Sequence, residues 1–256
     1  MSGRVEGKVV VVTGAAGGQG RAEALALASE GATVIATDLQ AAELDTDGAI
    51  ACRALDVGSE PAWRELAEWL AERYGRVDGL VNNAAVVQRA RLLEVEPAEL
   101  EGVMRVNLIG SLLGIQAVTP LMPAGGSIVN VSSIAALGGH FAVAYTVSKW
   151  AVRGLSRVAS LDLGPRGIRV NTILPGFIET PMTASANPAF REANIADTPL
   201  GRTGTPEEVA PLVVYLISEE SAFVSGAEIV VDGGHTAHGG NKSKLDAVEA
   251  AERDEA

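Results

Sequence analysis

The sequence predicts an α/β fold: a single domain on a doubly wound parallel sheet of about seven strands, with helices on both faces. Three observations predict it. Short β-branched runs alternate with segments of helical apolar spacing from Lys8 to Val231. The first run, Lys8–Thr13, is apolar at every step of its middle, the pattern of a strand buried on both faces. Between that run and the first helical segment lies a glycine-rich turn, Gly14 to Gly20.

Each element follows from local signals. Arg21–Ser29 has Ala and Leu at helical spacing and Gly31 closes it; Ala32–Thr37 is a second strand ending at Asp38. Ala49–Leu55 is the third strand, and Pro61 opens a helix that stops at Gly75, since proline suits the first helical turn and glycine the position past the end. Leu80–Asn82 ends a fourth strand, and Pro97 opens a long helix reaching about Val118. Ser127–Val131 is the fifth strand, followed by a helix through Tyr145 to about Leu163; Ile168–Leu174 is the sixth. Pro206–Ile217 is a helix and Ala227–Val231 the last strand. Residues 180–205, with Pro181, Pro188 and Pro199, read as a long loop suited to a substrate lid. The domain is expected over 1–235, and 236–256 as a polar, acidic, solvated tail that either stays disordered or forms a helix.

Composition narrows the function. The net charge of -12 argues against nucleic-acid binding, because phosphate backbones are repelled. No run of about 18 apolar residues predicts a membrane span, and Met1–Lys8 lacks the apolar core of a signal peptide. The single cysteine, Cys52, fits a reducing cytoplasm. His140, His235 and His238 lack metal-ligand spacing.

The chemistry-bearing residues recur in order. In Thr13–Gly20, Gly14 permits a tight turn while Gly18 and Gly20 allow close approach; the following helix N-terminus offers free N–H groups to a pyrophosphate. Asp38 closes the second strand, where a carboxylate accepts hydrogen bonds from a ribose and repels a 2′-phosphate. No basic residue stands at Ala15, Ala16 or Leu39, so NAD is favoured over NADP. Tyr145 and Lys149 lie four apart on one helix face, and an ammonium beside a phenol lowers its pKa toward the range of a general acid/base.

With these motifs in order, the chain resembles the short-chain dehydrogenase/reductase superfamily as far as about Gly234: a single-domain Rossmann fold. Thr13–Gly20 is similar to the TGxxxGxG turn, Asn82–Ala85 to NNAG (with Ala85 for the last glycine, narrowing the nicotinamide side), and Tyr145–Lys149 to YxxxK. Within the superfamily, Lys149–Ser156, Gly201–Arg202, Ser225–Glu228 and Val231–Gly234 resemble the bacterial 3α(20β)-hydroxysteroid dehydrogenase-like branch.

The resemblance implies that Gly14, Gly18, Gln19 and Gly20 hold the pyrophosphate side of NAD, Asp38 and Leu39 the adenosine ribose, and Asp56 and Val57 the adenine. Asn83, Ala84 and Ala85 then flank the cofactor, Pro175, Gly176, Ile178 and Thr180 hold the nicotinamide, and Tyr145 and Lys149 meet its ribose. The implied catalytic set is Asn107, Ser133, Tyr145 and Lys149, with Lys149 lowering the Tyr145 pKa and Asn107 positioning a water that links Lys149 to solvent. The family spacing of thirteen residues before the tyrosine points to Ser132, but local context points to Ser133, twelve before; Ser133 is the assignment made. Ser133, Leu137, Tyr145 and Phe177 are the expected substrate contacts, with Val86, Phe141, Met182, Phe190 and His140 as further cleft candidates.

The implied activity interconverts a secondary alcohol and a ketone (hydroxysteroid, terpenoid, diol or similar). The rivals are a 3-oxoacyl-carrier-protein-type reductase and a dinucleotide sensor without turnover. The resemblance also implies a homotetramer joined through the helix after Pro97 and the Tyr145 helix, where Gly110, Gly114, Ala151 and Gly154 would allow close approach.

Overall fold

The computed structural model describes residues 3–41, 44 and 48–254; the tail's last two residues lie outside them. In chain order the elements are β1 (Val9–Thr13), α1 (Gly18–Ser29), β2 (Thr33–Asp38), β3 (Ile50–Ala54), α2 (Glu60–Tyr74), β4 (Gly79–Asn82), α3 (Pro97–Met104) and α4 (Gly110–Val118). Then follow β5 (Ser127–Val131), α5 (Val143–Leu163), β6 (Arg169–Pro175), α6 (Pro181–Ala184), α7 (Pro188–Asp197), α8 (Pro206–Ile217), β7 (Glu228–Val231) and α9 (Asn241–Asp254).

The seven strands form one sheet in the order β3-β2-β1-β4-β5-β6-β7, and every pairing is parallel. Side chains alternate across a strand, and both faces here are apolar. Val10 and Val12 of β1 join Ala24 and Leu27 of α1 and Val213 and Ile217 of α8. Val9 and Val11 turn the other way, toward Trp63 and Leu70 of α2 and Ile115 and Val118 of α4. That two-sided burial explains why the strands read as unbroken apolar runs. Strand order reverses between β1 and β4, so a crevice opens past their carboxyl ends, the place where open α/β sheets bind ligands.

Two expectations change, for the helix after Pro97 and for residues 180–205; two others, on the membrane span and the tail, are made specific. The helix after Pro97 is interrupted by a π-turn over Arg105–Ile109, a widened turn common at functional sites. By length and composition, Pro97–Leu121 also passes as a membrane span, yet Val103, Asn107, Gly110, Ile115 and Val118 are buried; it is a core helix. Residues 180–205 carry two helices, α6 and α7, each with a proline in its first turn. The tail forms α9, exposed along most of its length.

Gly110 and Gly114 face inward rather than outward. A Cβ on Gly110 would lie 2.9 Å from Val57, and one on Gly114 2.8 Å from the Asn82 side chain. Gly154 faces open space.

Candidate active site

The glycine-rich turn runs from β1 into α1. Gly14 holds φ +67° with Ala84 so close that a Cβ would stand 2.8 Å from its Cα, and Gly18 holds φ +53° against Thr180. L side chains rarely adopt such backbone. Gly20 differs from expectation. Its Cβ would meet the Gly14 carbonyl at 2.3 Å and the Asn83 amide at 2.4 Å, so it seats α1 on the turn and does not line the cleft. Gly17, which the motif reading omits, does line it; it caps α1 in extended conformation, where its lack of a side chain leaves the helix N-terminus open.

The cleft encloses about 370 Å³ and runs over Gly14, Gly18 and Gln19 to Asp38 and Leu39, and past Asp56, Val57 and Asn83–Ala85 to Pro175, Gly176, Ile178 and Thr180. Asp38 accepts from the Ala16 N–H at 3.0 Å and the Leu39 N–H at 2.8 Å, which fixes its carboxylate at the end of β2. Asp56 accepts from Gly58 N–H at 2.9 Å. Asn83 works on the protein side: its Nδ2 donates to the Thr13 and Gly14 carbonyls, tying β4 to the turn. These residues fit a dinucleotide, with bare backbone where phosphates would pass and a fixed carboxylate where a ribose would end.

At the far end stand Ser133, Tyr145 and Lys149. Ser133 caps the short turn Ile134–Ala136, accepting from Ala135 N–H at 3.1 Å, and its hydroxyl stands on the Tyr145 side, where it opposes the effect of burial on the phenol. Ser132 is turned into the core, where it donates to the Lys149 carbonyl at 2.9 Å. Alternation along the strand end separates the two serines.

The Lys149 effect on Tyr145 departs from expectation. Burial pushes the Tyr145 phenol up from its ordinary value, and the Ser133 hydrogen bond only partly opposes this. Lys149 is itself buried; its Nζ donates to the Val131 carbonyl at 2.8 Å and lies 5.7 Å from the Tyr145 ring centroid. Burial lowers its pKa to about 8. The ammonium is thus aimed at β5 rather than at the phenol oxygen, and desolvation dominates.

Asn107 lies in the π-turn. Its Oδ1 accepts from Val86 N–H at 2.8 Å, and its Nδ2 donates to the Val86 carbonyl at 3.0 Å and the Ser148 hydroxyl at 2.9 Å. Ser148 in turn donates to the Tyr145 carbonyl at 2.7 Å. The amide holds Val86 with both its ends and reaches α5 through Nδ2, so it clamps the segment after β4 to α5.

A second cavity of about 640 Å³ meets the cleft at Ser133, Tyr145, Gly176, Met182 and Thr183. Leu137, Phe141, Phe177 and Phe190 line it, with His140; Val86 lines the first cleft instead. His235 and, from the tail, Thr236, Gly239 and Gly240 close one side, and His238 Nε2 bonds the Asp197 carbonyl at the end of α7 at 2.8 Å. Sequence reading missed this wall, because small and polar residues signal solvent rather than a cavity edge.

Crevice, glycine turn and Ser–Tyr–Lys set together define a dinucleotide-dependent oxidoreductase fold, and comparison with known proteins agrees. The family model described as enoyl-(acyl carrier protein) reductase matches residues 14–236. A 3-oxoacyl-(acyl-carrier-protein) reductase of Thermotoga maritima is 41% identical over 90% of this chain and 98% of its own. A 3-alpha-(or 20-beta)-hydroxysteroid dehydrogenase of Mycobacterium tuberculosis is 42% identical, covering 93% of this chain and 92% of that one. Among solved structures, a short-chain glucose/ribitol dehydrogenase of Brucella melitensis superposes with a TM-score of 0.85 at 32% identity, over 92% of this chain and 99% of that chain. The chain belongs to the short-chain dehydrogenase/reductase superfamily, oxidoreductases acting on hydroxyl and keto groups.

Proposed function

We propose that this protein is an NAD-linked dehydrogenase interconverting a secondary alcohol and a ketone on an apolar ring substrate. One observation carries the reading: Ser133 and Tyr145 stand where the narrow cleft meets the apolar cavity, so an alcohol lodged among Phe141, Phe177 and Phe190 presents its oxygen to both. In oxidation, Tyr145 in its phenolate form takes the hydroxyl proton as hydrogen leaves the carbon as hydride; in reduction the phenol returns that proton to the ketone oxygen. The Ser133 hydroxyl fixes the substrate oxygen. Lys149, one turn further along α5, supplies positive charge to the buried site, and Asn107 acts through Ser148 to set the start of α5. NAD, when bound, supplies the hydride acceptor or donor.

Asp38 supports NAD over NADP, and the segment after it holds Glu43, Asp45 and Asp47 with no Lys or Arg before Arg53. Arg53 is itself stacked on Trp69. The carrier-protein reductase reading draws support from the Thermotoga relative, and a chain that only senses the dinucleotide would need no Tyr145. A homotetramer is part of the proposal: Val147, Trp150, Val158 and Leu161 form an exposed apolar stripe on α5, which isolated chains rarely leave bare.

The test is turnover of steroid, terpenoid, diol and simple cyclic alcohols with NAD⁺ and NADP⁺, and of an acetoacetyl thioester with NADH and NADPH. Turnover of a cyclic alcohol with NAD⁺, reduced at least about 100-fold in Tyr145→Phe, is expected. Turnover confined to the thioester with NADPH would replace this reading by the carrier-protein one, and dinucleotide binding without turnover by the sensor.

A further inference from the structure

His140 sits in the loop between β5 and α5 and lines the larger cavity. Its ring stacks on Phe141 at 4.5 Å between centroids and meets Phe190 edge-on at 5.8 Å; Phe190 packs against Phe141 at 5.3 Å and Phe177 at 5.9 Å. Three phenyl rings would make the same box with a fourth phenyl in place of the imidazole, so packing alone does not call for histidine. What the imidazole adds is fixed by its backbone contact. Nδ1 accepts from the Ala142 N–H at 3.2 Å, which requires Nδ1 to be unprotonated. The neutral ring therefore carries its hydrogen on Nε2. No described residue accepts from that Nε2–H. Burial lowers the His140 pKa, which favours this neutral tautomer at physiological pH.

We propose that His140 is the specificity-determining residue of the cavity: its Nε2–H donates to a second oxygen on the substrate, separate from the reacting one, so that ring alcohols bearing another hydroxyl or keto oxygen are selected over their deoxygenated counterparts. The inference rests on the alcohol dehydrogenase reading and deepens it. A donor fixed in an aromatic wall discriminates in one direction, while Arg89, Asn194, His235 and Thr236 line other parts of the cavity. A ligand with an acceptor at that point gains the bond; one without it leaves a desolvated N–H unpaired.

The experiment uses two matched pairs differing only in the second oxygen: trans-1,4-cyclohexanediol with cyclohexanol, and androsterone with its 17-deoxy counterpart. The kcat/KM ratio within each pair is measured for the wild type, for His140→Phe, which keeps an aromatic ring in the box, and for His140→Gln, which restores a donor. In the pairs the wild type turns over, the ratio favouring the oxygenated member is expected to fall about tenfold in His140→Phe, mainly through KM, and to recover in part in His140→Gln. A ratio that His140→Phe leaves unchanged, even if both rates drop, overturns the role of His140 and leaves the dehydrogenase reading standing. Failure of the wild type to oxidise any of the four alcohols overturns the ring-alcohol reading, and this proposal with it.

Discussion

Glu23 is the most unusual single residue outside the active site. It lies wholly buried in α1; its Oε1 accepts from Gln19 Nε2 at 2.9 Å, while Oε2 has no partner among the described residues. Burial raises its pKa from 4.5 to about 8, because an ionised carboxylate cannot be solvated there. The sign of the resulting pH dependence follows directly. Above about pH 4.5 the unfolded chain releases this proton while the native state keeps it until about pH 8. Stability is therefore full below the lower value and declines across that window by up to about 1.4 kcal/mol per unit. Glu23→Gln keeps the shape and removes the titration. Urea unfolding at pH 5 and pH 8 should show the variant gaining on the wild type by about 2–4 kcal/mol between the two; parallel curves would mean that Glu23 is not held neutral. Nothing in the sequence marks Glu23, since an acid in an Ala- and Leu-rich helix reads as its solvent side. Tyr145, Lys149 and Ser133 were legible because spacing and context bear on them directly. Gly20 makes a related point: a glycine pattern records close approach but not whether ligand or backbone approaches, and here Gly14 and Asn83 are the near neighbours.

Elements were legible where their ends carry caps and opaque where they serve two purposes. Pro181 and Pro188 read as loop signals, but both occupy first helical turns, where a missing N–H costs nothing. The π-turn left no trace in the apolar spacing after Pro97, although it carries the inward-facing Asn107. The tail was hardest, because its contribution lies in contacts rather than composition. His238 joins it to the lid: Nε2 bonds the Asp197 carbonyl, while Nδ1 accepts from Gly240 N–H at 3.1 Å and Lys242 N–H at 3.3 Å. That one side chain couples the end of α7 to the start of α9 and so holds His235–Gly240 against the cavity. His238→Ala removes the link at a cost of about 1 kcal/mol. A rise of about fivefold in KM for the ring alcohol, larger than any change in kcat, is expected, together with faster proteolysis after Thr236. If both KM and proteolysis match the wild type, the tail is not a working wall of the cavity.

At the scale of the molecule, the alternation of strands and helices determined the class of fold, and two-faced burial of β1 confirms why that alternation was readable. Strand order was not, since it depends on how crossovers pack rather than on any one segment. Charge belongs to this scale too. A chain of net charge -12 repels any anion at long range, and NADP⁺, with about two more negative charges than NAD⁺, is repelled more. Added to this is the local effect of Asp38, whose carboxylate is fixed in the cleft by two backbone N–H groups. Salt separates the two contributions. The screening length shrinks from about 30 Å at 0.01 M to about 3 Å at 1 M, which removes the diffuse field but leaves a contact of a few ångströms largely intact. The ratio of NADP⁺ to NAD⁺ dissociation constants should therefore start at about 100 or more in low salt and shrink in high salt, yet stay above about 10. In Asp38→Asn the low-salt ratio should drop sharply and the high-salt ratio approach unity, because only the diffuse field is left to discriminate. Calorimetric titration of both nucleotides at the two salt concentrations measures all four ratios. A wild-type ratio that vanishes in high salt would assign the preference to net charge, and one that Asp38→Asn does not alter would remove Asp38 from cofactor selection.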